Sequence, residues 1–249
     1  MTRSARLSRV QEVEQAVSEM IHDIRLRNPD GRLPAETEIA EDLGVSRVTV
    51  REALSSLARQ GLIHRKQGLG TFVNHNLAGI QARLDCQIEL SKLISSAGRQ
   101  PDIHLLNFER GPVSAEIAER LGMQSNEEAL SVQKVFSADG IPAAFVTNVV
   151  PLNLLPPDEG SSRLQALQPE APVYEWLQEH FDQVVSYQIA DLEPQLADET
   201  IAGHLAYQVG APILYLEEVG FNLEGRPILY CREYYRPGVI QFQLLRKPT

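Results

Sequence analysis

The sequence has only two cysteines, one tryptophan and no apolar run of the length that a membrane-spanning helix requires. Its first fifteen residues carry charge but lack the apolar core of a secretion signal. Cys86 and Cys231 show neither CxxC nor Cys/His spacing, and the six histidines do not stand at metal-binding intervals, so no disulfide, metal or cofactor is predicted. We therefore expect a cytoplasmic protein without a membrane partner.

The sequence also lacks the glycine, proline or serine excess of fibrous and low-complexity chains. Among its 249 residues, 16 are Gly, 15 are Pro and 43% are hydrophobic. This is a globular composition, and a chain of this length can form two domains with separate cores.

Positive charge is scarce and unevenly distributed. The formal net charge is −10, but residues 1–75 contain 11 basic and 10 acidic side chains, whereas residues 76–249 contain 12 and 23. Within the first part, residues 44–73 hold five basic side chains against the single acid Glu52. This local excess predicts a surface that attracts an anionic partner such as nucleic acid.

The first 60 residues predict three helices, of which the last two are joined by a tight turn. Apolar residues recur every three or four positions from Val10 to Ile24, as on one face of a helix. A second helix is expected to start just after Pro34, Gly44 ends it, and Ser46 caps the third. This order and spacing are typical of a helix-turn-helix.

Two short strand-like runs follow, at residues 62–65 and 71–73. The two glycines between them predict a hairpin whose tip can approach another backbone closely, which is the wing of a winged helix-turn-helix. The next residues are polar and aperiodic. We therefore expect a DNA-binding domain at 1–75, a linker at 76–83 and a second domain at 84–249.

The second domain is predicted to have an α+β fold with a largely antiparallel sheet. Helices are expected from about residue 84 to Gly98, at 114–121 after a Ser114 cap, at 172–180, and at 198–207 after an Asp198 cap. Strands are expected at 103–109, 129–137, 141–150, 184–192, 212–221, 227–235 and 239–245.

The first domain resembles the winged helix-turn-helix of GntR-type bacterial transcription regulators. The resemblance is carried by Gly31-Arg32-Leu33-Pro34-Ala35-Glu36, by Leu43-Gly44-Val45-Ser46-Arg47-Val48-Thr49-Val50-Arg51-Glu52-Ala53-Leu54, and by Gly61-Leu62-Ile63 with Gln67-Gly68-Leu69-Gly70-Thr71-Phe72-Val73. Nearly every signature position is filled. The resemblance implies a regulator whose partner is double-stranded DNA.

The third helix is expected to place its first turn in the major groove. Arg47 and Arg51 are four residues apart and therefore share one face, where each can form two hydrogen bonds to a guanine. Thr49 offers a hydroxyl to phosphate or base and a methyl to thymine. These residues are the candidates for reading the base sequence.

The predicted wing supplies a second DNA contact. Arg65 and Lys66 make it basic, Gly68 allows close approach, and Gln67 can reach base edges or sugar in the minor groove. The resemblance implies DNA contacts at Ser46, Arg47, Thr49, Arg51, Gln67 and Gly68. One position departs from the family, because Thr37 stands where an Arg usually follows the Glu of Leu-Pro-x-Glu. This shortens or removes a phosphate contact, although the hydroxyl of Thr37 can still donate one hydrogen bond to DNA.

The second domain resembles the UTRA effector domain of the HutC subfamily. The resemblance is carried by Ala138-Asp139-Gly140-Ile141-Pro142, by Pro172-Val173-Tyr174, and by Gly225-Arg226-Pro227-Ile228 through Tyr235-Arg236. It implies a fold similar to chorismate lyase, used as a sensor of a small-molecule effector.

Several UTRA positions carry unusual side chains here. Members that sense sugar phosphates commonly have two Arg where this chain has Lys134 and Phe136, and a Glu where it has Leu229. The exchange favours a less polar organic anion over a phosphosugar. We expect a pocket lined by Phe136, Leu229 and Tyr174, with Lys134, Arg232 or Arg236 neutralising a carboxylate and Tyr235 orienting it.

These expectations describe a ligand-responsive transcriptional regulator, and repression relieved by ligand is the commoner outcome in the family. A single winged helix-turn-helix domain contacts few base pairs, so we expect a homodimer on a palindromic operator. An enzyme is disfavoured, because Gly-x-Ser-x-Gly, HExxH and Walker motifs are missing and the neighbours Glu217 and Glu218 face opposite sides of a strand. A sequence-indifferent architectural DNA binder, which would need only the basic wing, is the second alternative.

Overall fold

The structure is a computed structural model that describes residues 9–27, 30–75, 82–86, 89–124, 127–155 and 160–246. Its contacts divide the chain into two compact units, Met1–Gln81 and Ala82–Thr249. Residues 76–81 of the predicted linker lie outside the described residues, whereas its last two residues form strand β3, Ala82–Arg83. None of the described helices is both long enough and apolar enough to span a membrane.

The N-terminal unit contains the three predicted helices, α1 (Arg9–Arg27), α2 (Glu36–Leu43) and α3 (Arg47–Arg59). Gly44 ends α2 in the left-handed conformation at φ 63°, and the side chain of Ser46 caps α3, so the predicted turn and cap are confirmed. The three helices share one core, formed by Val13, Val17, Ile21, Leu33, Ile39, Val50, Leu54 and Leu57 with neighbours.

The wing is the hairpin β1 (Ile63–Lys66) and β2 (Gly70–Val73), paired antiparallel as predicted. The segment before α2 hydrogen-bonds to β2: Leu33 N donates to Thr71 O at 2.9 Å and Val73 N donates to Gly31 O at 2.7 Å. These two bonds hold the wing against the start of α2.

The C-terminal unit is built on a six-stranded antiparallel sheet, which confirms the predicted α+β fold class. Its strands are β4 (Pro101–Pro112), β5 (Glu128–Ala138), β6 (Ile141–Pro151), β7 (Tyr187–Leu196), β8 (Pro212–Phe221) and β9 (Pro227–Tyr235), in the order β4-β5-β6-β9-β8-β7. Its helices are α4 (Leu90–Ser96), α5 (Ala115–Arg120), α6 (Gly160–Gln165), α7 (Val173–Glu179) and α8 (Glu199–His204). The predicted caps Ser114 and Asp198 begin α5 and α8.

Helices pack against both faces of this sheet. On β5, Val132 packs in a cluster with Trp176 of α7, whereas Val135 packs in another with Ile201 of α8. Since side chains alternate along a strand, Lys134 and Phe136 share the face that Val132 presents to α7.

Three sequence predictions for this unit are wrong in extent. The helix expected from residue 84 is confined to α4; β3 precedes it, and residues 87–88 lie outside the described part. The strand expected at 239–245 is only β10 (Phe242–Gln243), which pairs parallel with β3. The strand expected at 184–192 both begins and ends later, as β7 (Tyr187–Leu196). Short apolar runs fit helix and strand equally well, and the β3–β10 pairing joins distant residues, so local patterns do not report it.

Candidate DNA interface and effector cavity

The first turn of α3 presents two arginines to solvent. Ser46 Oγ accepts from Thr49 N at 3.1 Å and lies 2.8 Å from Thr49 Oγ1, so both hydroxyls serve the cap. Arg47 is exposed, and the side chain of Arg51 is 58% exposed. Val48 between them is 64% exposed, which is unusual for an apolar residue in a helix that otherwise buries its apolar face.

Glu36 of α2 connects the third helix with the wing. Its Oε2 accepts from Arg51 Nε at 3.2 Å and from Arg51 Nη2 at 3.1 Å, while its Oε1 lies 3.5 Å from Arg65 Nη2. Arg65 Nη2 is also 3.4 Å from Ser55 Oγ. The carboxylate therefore sets the direction of two predicted DNA contacts, a role that the sequence analysis missed because the partners are 15 and 29 residues away.

Replacing Glu36 is expected to weaken discrimination between DNA sequences. In Glu36→Gln, affinity for random duplex should rise several-fold, because the arginines lose a competing anion, and the ratio of operator to random affinity should fall. Stability should change little, since exposed ion pairs contribute about 0–1 kcal/mol. Fluorescence anisotropy with operator and random duplexes measures both affinities. Glu41→Gln, an exposed change of the same charge on α2, is the control, and equal behaviour of the two variants would mean that net charge alone is responsible.

The wing tip is exposed, and strand β1 carries its cations, Arg65 and Lys66. Lys66 Nζ lies 4.7 Å from the centre of the Phe72 ring, which stacks on His64 at 5.9 Å. Gln67 is exposed, and Gly68 adopts φ 74° with nothing near the position of a side chain. This leaves room for a close approach to a partner.

Arg32 is a further cation beside the wing. A side chain added at Gly70 would come 3.3 Å from Arg32 Nε, so the guanidinium lies directly against the hairpin. In the sequence, Arg32 belongs to the family motif, and its place before Leu33-Pro34 is the signal that could have identified it as a candidate DNA contact. Thr37 is exposed on α2, so its hydroxyl is accessible to a partner.

The C-terminal unit contains a cavity of about 490 Å³. Its walls come from β3, α4, β5, β6, α7, β7, β8, β9 and β10. Four of the predicted effector residues line it: Lys134, Phe136, Tyr174 and Tyr235.

Leu229, Arg232 and Arg236 do not line this cavity, which corrects the predicted pocket. Leu229 is fully buried in the core beneath α7. Arg232 faces the other side of the sheet, with its Nη2 2.9 Å from Glu116 Oε2, because it alternates with the cavity-lining Glu233. Arg236 Nη1 donates to the carbonyl oxygens of Leu205 and Ala206, both at 3.2 Å.

Of the three cations predicted to bind the effector, only Lys134 lines the cavity, and its ammonium group already has partners within the protein. Its Nζ donates to Ala171 O at 2.6 Å and lies 4.8 Å from the centre of the Trp176 ring. Burial lowers the pKa of this ammonium to about 8. It is therefore a weak partner for an anionic ligand.

Two glutamates in the cavity were missed by the sequence analysis as ligand contacts. A carboxylate oxygen of Glu218, the Sγ of Cys231 and a carboxylate oxygen of Glu233 lie within 4.8 Å of one another. Burial, together with the charge of Glu233, raises the pKa of Glu218 to about 8, and burial also raises the pKa of Glu233. The pair of acidic side chains thus retains a proton at neutral pH.

These three side chains do not fit a metal centre. The Cys231 thiol donates to Asn148 Oδ1 at 3.0 Å. Burial, with Glu233 and Glu218 nearby, also raises the thiol's pKa well above its usual value. Both effects favour the protonated thiol, whereas a metal binds the thiolate.

Glu218 makes the stability of the protein depend on pH. Between the unfolded pKa of 4.5 and the folded value of about 8, the folded state binds more protons than the unfolded state. The free energy of unfolding should therefore fall as pH rises from about 5 to 8. Urea unfolding at pH 5.5, 6.5 and 7.5 measures this fall, which should be smaller in Glu218→Gln. The exposed change Glu224→Gln should leave it unaltered, and a slope that is equal in all three proteins would contradict the prediction.

Both parts of the chain match known families. Residues 9–73 match the gntR family of bacterial regulatory proteins, and residues 96–240 match the UTRA domain. The chain therefore belongs to the GntR family of bacterial regulatory proteins, with a UTRA domain after its helix-turn-helix, and it is a transcriptional regulator. These are families of regulators, so the enzyme alternative is set aside.

The chain is also similar to individual regulators over most of their length. The chain is 29% identical to the HTH-type transcriptional regulator Rv0792c of Mycobacterium tuberculosis, over 86% of this chain and 77% of that protein. It is 28% identical to the HTH-type transcriptional repressor NagR of Bacillus subtilis, over 84% and 82%. The crystal structure of YydK from Bacillus subtilis, a possible transcriptional regulator, superposes with a TM-score of 0.74 at 19% identity, over 97% of this chain and 100% of that one, and shows a shared fold.

Proposed function

We propose that this regulator is a repressor that binds a palindromic operator as a homodimer and leaves it when a small organic metabolite occupies the cavity of the UTRA domain. The observation that carries the proposal is the exposed first turn of α3, where Arg47 and Arg51 stand beside a basic wing. Since the partner is chromosomal DNA, we place the protein in the bacterial cytoplasm.

The charges of the N-terminal unit support sequence reading over simple attraction to phosphate. A protein that binds DNA only through attraction to the phosphates does not require arginines whose direction is fixed. Here Glu36 orients Arg51 and Arg65 through hydrogen bonds, as expected where a guanidinium must align with a base edge.

The homodimer is supported by the edge strand β7. Ile189 is 58% exposed and Leu196 is 70% exposed, on opposite faces of the strand. An exposed apolar edge is a ready surface for pairing, and an identical strand related by a two-fold axis is a self-complementary partner.

Disrupting this edge is expected to separate the subunits. The double variant Ile189→Asp/Leu196→Asp should shift the protein from dimer to monomer, because charged side chains on an edge strand oppose its pairing with another strand. Light scattering after size-exclusion chromatography measures the mass. Glu193→Ala, an exposed change on the same strand, should remain dimeric, and an undisturbed dimer in the double variant would place the interface elsewhere.

The effector is proposed as a small organic metabolite. The anionic effector expected from the sequence would be neutralised by Lys134, Arg232 or Arg236, and of these three only Lys134 lines the cavity. We therefore do not restrict the proposal to anions. A ligand releases the operator only by as much as its affinity differs between the DNA-bound and free states.

A footprint on the DNA around the gene tests the function. A discrete, symmetric protected site, bound at nanomolar protein and lost on addition of a ligand found by thermal-shift screening, is the expected result. Competition by random duplex at equal strength would instead identify an architectural binder. Tighter binding in the presence of the ligand would overturn the direction of control.

A further inference from the structure

The cavity of the UTRA domain holds two glutamates on one face of neighbouring strands. In the β8–β9 register Glu218 is opposite Cys231, and Leu216 is opposite Glu233. Opposite residues and residues two apart share a face, so both carboxylates point to the same side of the sheet. Both line the cavity.

Neither carboxylate is neutralised by a cation in the described part of the chain. Arg83, which also lines the cavity, is ion-paired with Asp85, and Lys134 donates to Ala171 O. Among the described residues, no ion pair within 4.0 Å joins Glu218 or Glu233 to a basic side chain. Buried carboxylates in this situation require a proton or an external cation.

Neutral donors hold the two carboxylates in place. Gln188 Nε2 donates to Glu218 Oε2 at 3.3 Å, and the Tyr235 hydroxyl donates to Glu233 Oε2. The Tyr174 hydroxyl donates to Gln188 Oε1 at 3.1 Å and so orients that amide. Among the described residues, hydrogen bonds engage one oxygen of each carboxylate and leave the second for a ligand.

Aromatic rings form another part of the wall. Phe136, Tyr187, Tyr235 and Phe242 line the cavity, and the rings of Tyr235 and Phe242 meet edge to face at 4.6 Å. Ring faces attract cations and, like the carboxylates, disfavour anions.

We propose that the effector carries a protonated amine, which binds between Glu218 and Glu233 and packs against the aromatic wall. The inference rests on the proposed function, because it takes the cavity as the effector site. An ammonium group brings three donors and a positive charge to two available carboxylate oxygens. A neutral alcohol would leave the carboxylates without a counter-charge, and a carboxylate or phosphate would be repelled.

Binding of an amine must displace the proton that the glutamates retain in the empty cavity. The titratable groups that line the cavity with Glu218 are Glu233, Tyr235, Tyr174, Tyr187, Lys134, Glu89, Arg83, Asp85 and Cys86, and the Cys231 thiol lies beside Glu218. A primary amine stays charged up to about pH 10, whereas the pKa of Glu218 is about 8. The affinity of the amine should therefore rise between pH 6 and pH 8.

The test uses the full chain and two matched series of ligands. The first is butylamine, 1-butanol and butyrate; the second is phenethylamine, 2-phenylethanol and phenylacetate. Calorimetry and thermal shift at pH 6 and pH 8 are expected to show that the amine of at least one series binds, more tightly at pH 8, and that its alcohol and carboxylate counterparts bind at least about tenfold more weakly.

Two variants assign the binding to the glutamates. Glu218→Gln and Glu233→Gln should each weaken amine binding by about 10- to 100-fold and reduce its pH dependence, since a charge-assisted hydrogen bond is lost. Both changes keep the side-chain shape, and circular dichroism checks the fold. Glu224→Gln, the same substitution at the exposed turn between β8 and β9, should bind like the original protein.

Failure of this inference is distinguishable from failure of the proposed function. The inference is overturned if neither amine binds, if an alcohol or carboxylate binds as tightly as its amine, or if zinc ion occupies the cavity while the amines do not. Operator release is measured separately by gel retardation. An amine that binds without releasing DNA would overturn the proposed function alone, whereas release by a carboxylate that binds in the cavity would overturn the inference alone.

Discussion

Arg51→Ala is expected to abolish selective retention of the operator while leaving the melting temperature almost unchanged. A pair of hydrogen bonds from Arg to guanine contributes ~1–3 kcal/mol of discrimination. In the proposed homodimer the contact is made twice, so selectivity should fall by about 30-fold to 20,000-fold. Arg47→Ala should act in the same direction, because Arg47 occupies the same helix face one turn earlier.

The melting temperature of Arg51→Ala should change little because Arg51 is a surface residue. Its side chain is 58% exposed, and its ion pair with Glu36 is the exposed kind that contributes about 0–1 kcal/mol. Gel retardation with operator and scrambled duplexes, with a thermal melt of the same sample, measures both quantities. Arg9→Ala, an exposed arginine on α1, is the control. Retained selectivity, or unfolding of the variant, would refute the assignment of Arg51 to the DNA surface.

Trp176→Ala is expected to destabilise the UTRA domain by ~3–5 kcal/mol. Trp176 is almost fully buried, its ring meets Phe108 edge-on at 5.9 Å, and its Nε1 donates to Gln168 O at 2.8 Å. The same ring lies under Lys134 Nζ. Its removal leaves a large void beneath the cavity and an ammonium without its aromatic neighbour, so effector binding should be lost as well.

Calorimetry should show a fall of roughly 6–20 °C in the transition of the C-terminal unit. Trp176→Phe, which keeps a ring but loses the hydrogen bond to Gln168, should cost only a fraction of this. Glu175→Ala, the exposed neighbour on α7, should melt like the original protein. A Trp176→Ala protein that melts within about 2 °C of the original would contradict the role of Trp176 in the core.

The N-terminal unit could be predicted from the sequence almost completely. Gly44, Ser46 and the spacing of Arg47 and Arg51 act through neighbours a few residues away, and the conformations they favour are nearly independent of the rest of the chain. The ion pairs of Glu36 with Arg51 and Arg65 could not be predicted from the sequence. They exist only because the core of the three helices and the wing brings distant residues together.

The residues that line the cavity, by contrast, could be predicted from the sequence only in part. Alternation along a strand correctly separated Glu217 from Glu218, but alternation does not say which face of the strand meets α7 and which meets α5. Arg232, predicted to bind the effector, lies on the face away from the cavity, while its neighbour Glu233 lines it. The sign of the charge presented to a ligand depends on this choice.

By itself, the sequence determined two structural units, the turn that joins α2 to α3, the basic wing and the α+β class of the second unit, because each follows from local conformational preferences and short-range patterning. Only the tertiary structure decided that glutamates rather than arginines face the cavity, and that one carboxylate spans α3 and the wing. Strand register and helix packing join residues far apart in the chain, and their free energies depend on every neighbouring element at once.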